Sequence, residues 1–197
     1  FIHPDLKLKF TAPAGFAVSN GTDAVTIAGT TGQATFKGAP YTGDLDALVG
    51  SVFKALAGQN ATLDYGSVKK TTINGLPVGY ATASANTQSG AMNVTVYGYE
   101  FSKTQAFVIY SITPTSAATP FTSLFQSVRR ISDAEAAAVK PRRLDIVTVK
   151  KGDTIDSLSA RMAYTTFRTE RFITLNALKA GQALPVGRKV KLVVYGN

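Results

Sequence analysis

The sequence predicts an α+β fold, an antiparallel sheet with packed helices followed by a small β-α-α-β domain, and three observations carry it. Between residues 66 and 114, four runs rich in β-branched and aromatic residues are separated by turn residues, the pattern of an antiparallel meander. Residues 43–58 and 119–131 place apolar side chains at helical spacing. Charged residues make up only 17% of the 197 and hydrophobic ones 45%, a balance that suits strands and turns in a folded chain.

The elements follow in order. In "DLKLKFTAP", Leu6, Leu8 and Phe10 alternate with Lys7 and Lys9, the period of a half-buried strand. Asn20-Gly21, between "FAVS" and "AVTIAG", predicts a tight hairpin with positive φ angles, and "QATFKG" a further strand. In "GDLDALVGSVFKALAG", Leu45, Leu48, Val49, Val52, Phe53 and Leu56 define a helix that starts near Asp44 and ends before Gly58. The meander then runs "GSVKKTTI", "LPVGYATAS", "MNVTVYGYEF" and "AFVIYSITP", turning at Asn74-Gly75, "NTQSG" and "SKTQ". In "TPFTSLFQSVRRI" Thr119 is the expected cap and Pro120 the first turn of a second helix, with Phe121, Leu124, Phe125 and Val128 on one face. Arg129-Arg130 then complements its C-terminal dipole.

"SDAEAAAVKPRRLD" has no burying pattern, and Pro141 disfavours helix at Lys140. The expected organisation is a domain over 1–133, a linker over 134–144 and a domain over 145–197. Charge divides at the same place. Residues 1–133 hold 9 basic and 7 acidic groups, residues 134–197 hold 12 and 5, so most of the net charge of +9 belongs to the C-terminal third. The basic residues are scattered and no nucleic-acid motif accompanies them, so a solvated surface is expected rather than nucleic acid; anionic cell-wall polymer or lipid headgroups also fit such a surface. In that third a strand over Ile146–Val149 meets a turn at Gly152, Asp153 caps a helix that buries Ile155, Leu158 and Met162, and a second helix near 169–178 carries Phe172 and Leu175. Val190, Leu192 and Val194 alternate in a closing strand.

No cysteine is present, which removes disulfides, thiolate metal sites and thiol nucleophiles. No apolar run approaches the roughly 18 residues of a membrane span. Phe1 in place of Met points to a mature or excised fragment. The single histidine, His3, is read as structural or incidental. The acid pairs Asp44/Asp46 and Asp153/Asp156 stand at helix starts, where capping explains them. Neither a Gly-x-x-x-x-Gly-Lys-Ser/Thr loop nor a Gly-x-Gly-x-x-Gly fingerprint occurs. Tyr97, Tyr99 and Phe101 share a strand face with Tyr80 and Tyr110 on neighbouring strands, either a ligand platform or, as preferred here, core.

The order of hairpins, helix, meander and closing helix over residues 1–133 resembles the PsbP-like fold, which implies a protein-contact or accessory module. Gly152-Asp153-Thr154-Ile155, Leu158, Leu175-Asn176, Leu178 and the approach from Leu184 to Val190 resemble the LysM domain. That resemblance implies a glycan groove with contacts from Asp153, Thr154 and Ile155, and from Leu178, Lys179, Ala180, Gly181 and Gln182. The chain departs from it where "AYTTFRT" lengthens the interhelix segment and where Ala177 follows Asn176 in place of a frequent glycine. Together "FIHPDLKLKFTAPAGF", the Pro-Arg-Arg-Leu linker and "VKKGDTIDSLSARM" with "ERFITLNAL" resemble the noncatalytic C-terminal region of bacterial CAAX-prenyl-protease-like zinc metallopeptidases. The resemblance implies an upstream H-E-x-x-H zinc domain, a periplasmic or cell-envelope location, and a fragment with no cofactor, metal or catalytic residues of its own that acts by docking to the protease or envelope proteins or by weak glycan binding. The alternative is a free-standing peptidoglycan-binding protein.

Overall fold

Alternating apolar strands need a cover on whichever sheet face they turn inward, and the covers differ on the two faces of the main sheet. The computed structural model describes residues 1–58, 62–88, 90–117 and 119–196. They form two compact units, Phe1–Ala136 and Ala137–Asn197. The first is built largely of antiparallel strands with few helices and the second of two strands and two helices, together an α+β composition.

In the first unit β1 (Ile2–His3), β2 (Leu8–Lys9), β3 (Ala17–Asn20), β4 (Val25–Gly29) and β5 (Gly32–Ala39) precede α1 (Leu45–Ala57). The meander follows as β6 (Lys69–Ile73), β7 (Leu76–Thr87), β8 (Gly90–Ser102) and β9 (Gln105–Pro114). Seven strands make one sheet in the order β3-β4-β5-β9-β8-β7-β6. Asn74 and Gly75 take φ of 48° and 78°, the positive angles expected of their two-residue hairpin. Asn20-Gly21 does not behave this way. Neither residue has positive φ, and the hairpin closes through a longer loop in which Gly21 N–H donates to the Ala24 carbonyl at 2.9 Å. The expected turn at Asn86–Gly90 includes Ser89, which lies outside the described residues.

Helix α1 covers one face. Asp44 caps it, its carboxylate accepting from the Asp46 and Ala47 amides, and Leu48, Val49, Val52 and Phe53 pack onto Ala81, Ala83, Val94, Val96 and Val108. The opposite face is covered by the small sheet of β1, β2 and β10 (Arg129–Arg130) and by α2 (Thr122–Ser127). Helix α2 is shorter than its apolar spacing predicts, and Thr119 does not cap it; Phe121 occupies that position without a side-chain bond. The cause is β10, which pairs with β2 in the register Arg129↔Lys9 and Arg130↔Leu8 and so draws the chain out of the helix. The two arginines therefore serve a strand and not a helix end. Arg129 forks onto Glu135, while Arg130 stacks at 4.8 Å on Phe101 and donates to its carbonyl.

The segment read as a linker holds ordered elements at both ends. Ser132 and Glu135 exchange side-chain-to-backbone bonds of 3.1 Å, a capping box for α3 (Asp133–Ala137), and β11 (Arg142–Thr148) starts at the first arginine after Pro141. In the second unit β11 pairs with β12 (Lys189–Tyr195), and between them lie α4 (Ile155–Ser159) and α5 (Arg168–Leu175). Val149, Leu158, Met162, Phe172, Leu178, Val190 and Leu192 form a separate core. The Asn176 amide accepts from Lys191 N–H at 2.6 Å and donates to its carbonyl at 2.9 Å, tying the end of α5 to β12.

Candidate functional site

Two loops of the second unit come together at one cleft. The first turns at Gly152, whose φ of +90° suits a residue without Cβ. The Asp153 carboxylate accepts Lys150 N–H at 2.8 Å and clamps this turn instead of capping α4. Thr154 is the cap: it and Ser157 form a capping box, with bonds of 2.9 and 3.0 Å. In the second loop Gly181 has φ +72° and the Gln182 side chain accepts Lys179 N–H at 2.9 Å. Each loop is thus fixed by its own side-chain-to-backbone bond.

Asp153, Thr154, Ile155, Ala180, Gly181 and Gln182 line an open cleft of about 530 Å³. Leu178 and Lys179 do not. Leu178 is buried in the unit's core, and the Lys179 amide is occupied by Gln182. Asp156, Thr169, Ile173, Ala183 and Leu184 complete the lining, and the sequence reading had not placed them there. Asp156 stands at a helix start as expected, in the first turn of α4, but does not cap it; its carboxylate accepts the Thr169 hydroxyl at 3.4 Å, and that hydroxyl also meets Ser159 at 3.2 Å, joining α4 to α5. Thr169 and Ile173 stand four apart on α5, a spacing that puts both on one side of a helix. The cleft carries two carboxylates, an amide and hydroxyls over Ile155, Ile173 and Leu184, and no basic residue lines it. Such a surface accepts hydrogen bonds from hydroxyl groups and lays apolar side chains against the C–H faces between them.

The opposite side of α5 borders a second groove, of about 410 Å³, where Tyr164, Phe167, Arg171, Leu175 and Val193 meet. Arg142 and Arg171 lie 4.8 and 4.4 Å from the Tyr164 ring centre, and Phe167 begins α5 with φ +53°.

In the first unit, His3 Nδ1 accepts Leu6 N–H at 3.2 Å, a local structural bond. Among the described residues no group of three or more His, Cys, Asp or Glu side chains is close enough to hold a metal ion. Tyr99 is fully buried, donates to the Phe125 carbonyl at 2.9 Å, and burial pushes its phenol well above the ordinary value. Tyr80, Tyr97 and Phe125 stack in sequence, with ring centres 4.8 and 4.2 Å apart. Tyr110 lies apart from them, opposite Val96 on the α1 side of the sheet. Tyr41 donates to Glu100, and Lys103 reaches the same carboxylate at 2.9 Å. Burial and the Glu100 bond raise the Tyr41 phenol, and the Tyr41 bond, then that of Lys103, lowers Glu100.

No family model matches the chain, and no curated protein matches it. Among solved structures, a crystal structure from Bacteroides thetaiotaomicron VPI-5482 aligns over 94% of this chain at 10% identity with a TM-score of 0.49, and this chain spans 63% of the length of that one.

Proposed function

We propose that this chain is a noncatalytic accessory region of the bacterial cell envelope, in which a LysM-like unit holds a peptidoglycan-type glycan in the cleft between the Asp153–Asp156 turn and the 180–184 loop. The observation that carries this reading is the convergence of two loops nearly thirty residues apart in sequence, nine of whose residues line one open cleft equipped for hydroxyl groups. The PsbP-like reading of the first unit draws support from its order of hairpins, helix, meander and closing helix. The zinc protease upstream, and periplasmic placement with it, rest on the sequence resemblance. The fragment then positions that protease by glycan contact or by docking to envelope proteins.

Cosedimentation with purified peptidoglycan sacculi at low and high salt tests the glycan reading. Salt-resistant binding that is lost in Ala180→Trp/Ala183→Trp, which fills the cleft from two exposed lining positions, with an unchanged melting temperature, is the expected result. Binding abolished by salt reduces the interaction to charge attraction, and absence of binding removes the glycan reading. The cleft serves a free-standing peptidoglycan-binding protein equally well. An H-E-x-x-H helix encoded upstream in the same reading frame favours the protease parent.

A further inference from the structure

A two-stranded ribbon with helices on one side ordinarily turns polar residues outward on the other. The β11–β12 ribbon does not. Cross-strand partners share a face, so the register Leu144↔Val193 and Ile146↔Lys191 sets those side chains together, flanked by the pair Arg142↔Tyr195. Leu144 is 60% exposed, Ile146 64% and Tyr195 53%. The inward face instead holds Val147, Val190 and Leu192 over the core. Three large apolar side chains therefore stand in solvent on one face.

The charges on this face have one sign. Arg142, Lys189 and Lys191 belong to it, and the ribbon's single acid, Asp145, alternates to the inward face opposite Leu192. Residues 137–197 as a whole carry twelve basic and four acidic groups, a net of +8. None of the ion pairs among the described residues falls in this unit. Positive charge interleaved with exposed aliphatic and aromatic groups complements a surface that offers anionic headgroups above hydrocarbon. Long Lys and Arg stems lie along such a boundary with their charges at headgroup level.

The second groove extends the same surface, because Val193 belongs to both, and its lining adds one acid, Glu170, beside Arg171. Its rim residue Phe167 is 67% exposed and left-handed at φ +53°, so a bulky residue stands where a small polar one would cost less in backbone strain and in exposed apolar area. Tyr164 and Phe167 come from the "AYTTFRT" segment that lengthens the interhelix connection. This groove and the proposed glycan cleft lie on opposite sides of α5, so one need not exclude the other.

We propose that the outer face of the β11–β12 ribbon, with the Tyr164/Phe167 groove beside it, binds the surface of an anionic phospholipid bilayer. The occupant is a bilayer rather than an acidic protein because three exposed large apolar side chains stand among basic ones on this face, a mixture that suits insertion between anionic headgroups.

The test is flotation of the full chain with vesicles of phosphatidylglycerol and phosphatidylcholine, against vesicles of phosphatidylcholine alone. The expected result is binding to the anionic vesicles only. Lys189→Gln/Lys191→Gln weakens it by about fivefold per charge. Leu144→Ser/Ile146→Ser weakens it by at least about tenfold. All four positions are exposed or rim residues, and an unchanged melting temperature checks that each variant is folded. Absence of binding to anionic vesicles overturns the proposal, and so does binding that survives Leu144→Ser/Ile146→Ser unchanged. The vesicles contain no glycan, so this outcome is independent of the sacculus experiment.

Discussion

Ala177, just past the end of α5, holds φ +49°, a left-handed angle at which Cβ crowds its own carbonyl. Ala177→Gly is expected to stabilise the protein by about 0.5–1 kcal/mol, the relief of strain exceeding the greater freedom of glycine in the unfolded chain, as a shift in urea midpoint will register. Glu135 provides a second residue-scale prediction. The Arg129 fork and the Ser132 amide hold its carboxyl down at about 2, below the ordinary 4.5. A lowered folded value means that its stabilising contribution is complete above the unfolded value and disappears as pH falls from 4.5 toward 2. Glu135→Gln should flatten the dependence of unfolding free energy on pH across that window, while a variant of an unpaired surface acid leaves it unchanged. Sequence reading resolved single residues unevenly. Asp44 was legible as a cap because the helix after it is long and strongly patterned. At Asp153 and Thr154 two good capping residues adjoin, and only the backbone decides that the aspartate clamps the turn while the threonine caps.

Helix α1 lies close to its sheet because of a pair of glycines. Gly79 and Gly98 are direct cross-strand partners on β7 and β8, and a Cβ at Gly98 would come within 2.9 Å of Leu48, one at Gly79 within 3.0 Å of Leu45. Gly98→Ala is therefore expected to destabilise by about 1 kcal/mol, measured by chemical denaturation, through forced repacking of the buried Leu48 side chain. The helix itself is readable from its spacing, but the recess that receives it is not, since the glycines stand nineteen residues apart and only the strand register pairs them. The same reason hid the early end of α2. Its apolar spacing runs on to Val128, but β2, more than a hundred residues earlier, recruits Arg129 and Arg130 into a strand. Local pattern predicted elements well where local contacts decide them, at Asn74-Gly75 and in α1, and less well where a distant partner does.

Residues 137–197 have a core of their own, with Phe172 fully buried in it. Phe172→Ala, which empties the centre of that core, is expected to cost about 3–5 kcal/mol there. Hydrogen exchange should accordingly quicken over residues 142–195 and stay unchanged in β7–β9. The cleft was partly legible at this scale: the Gly-Asp-Thr-Ile turn and the Gly181 loop are local signals, whereas Thr169 and Ile173 enter it only because α5 packs between the loops. A two-stranded ribbon has two lateral borders, and the side of β12 away from β11 would offer a neighbouring molecule a template for strand addition. Asn176 occupies the Lys191 amide and carbonyl there, and Ala163 N–H takes the Val193 carbonyl at 2.8 Å. One side chain thus acts as a false strand that shields the border against self-association, and Asn176→Ala should make the protein oligomerise with rising concentration in light scattering.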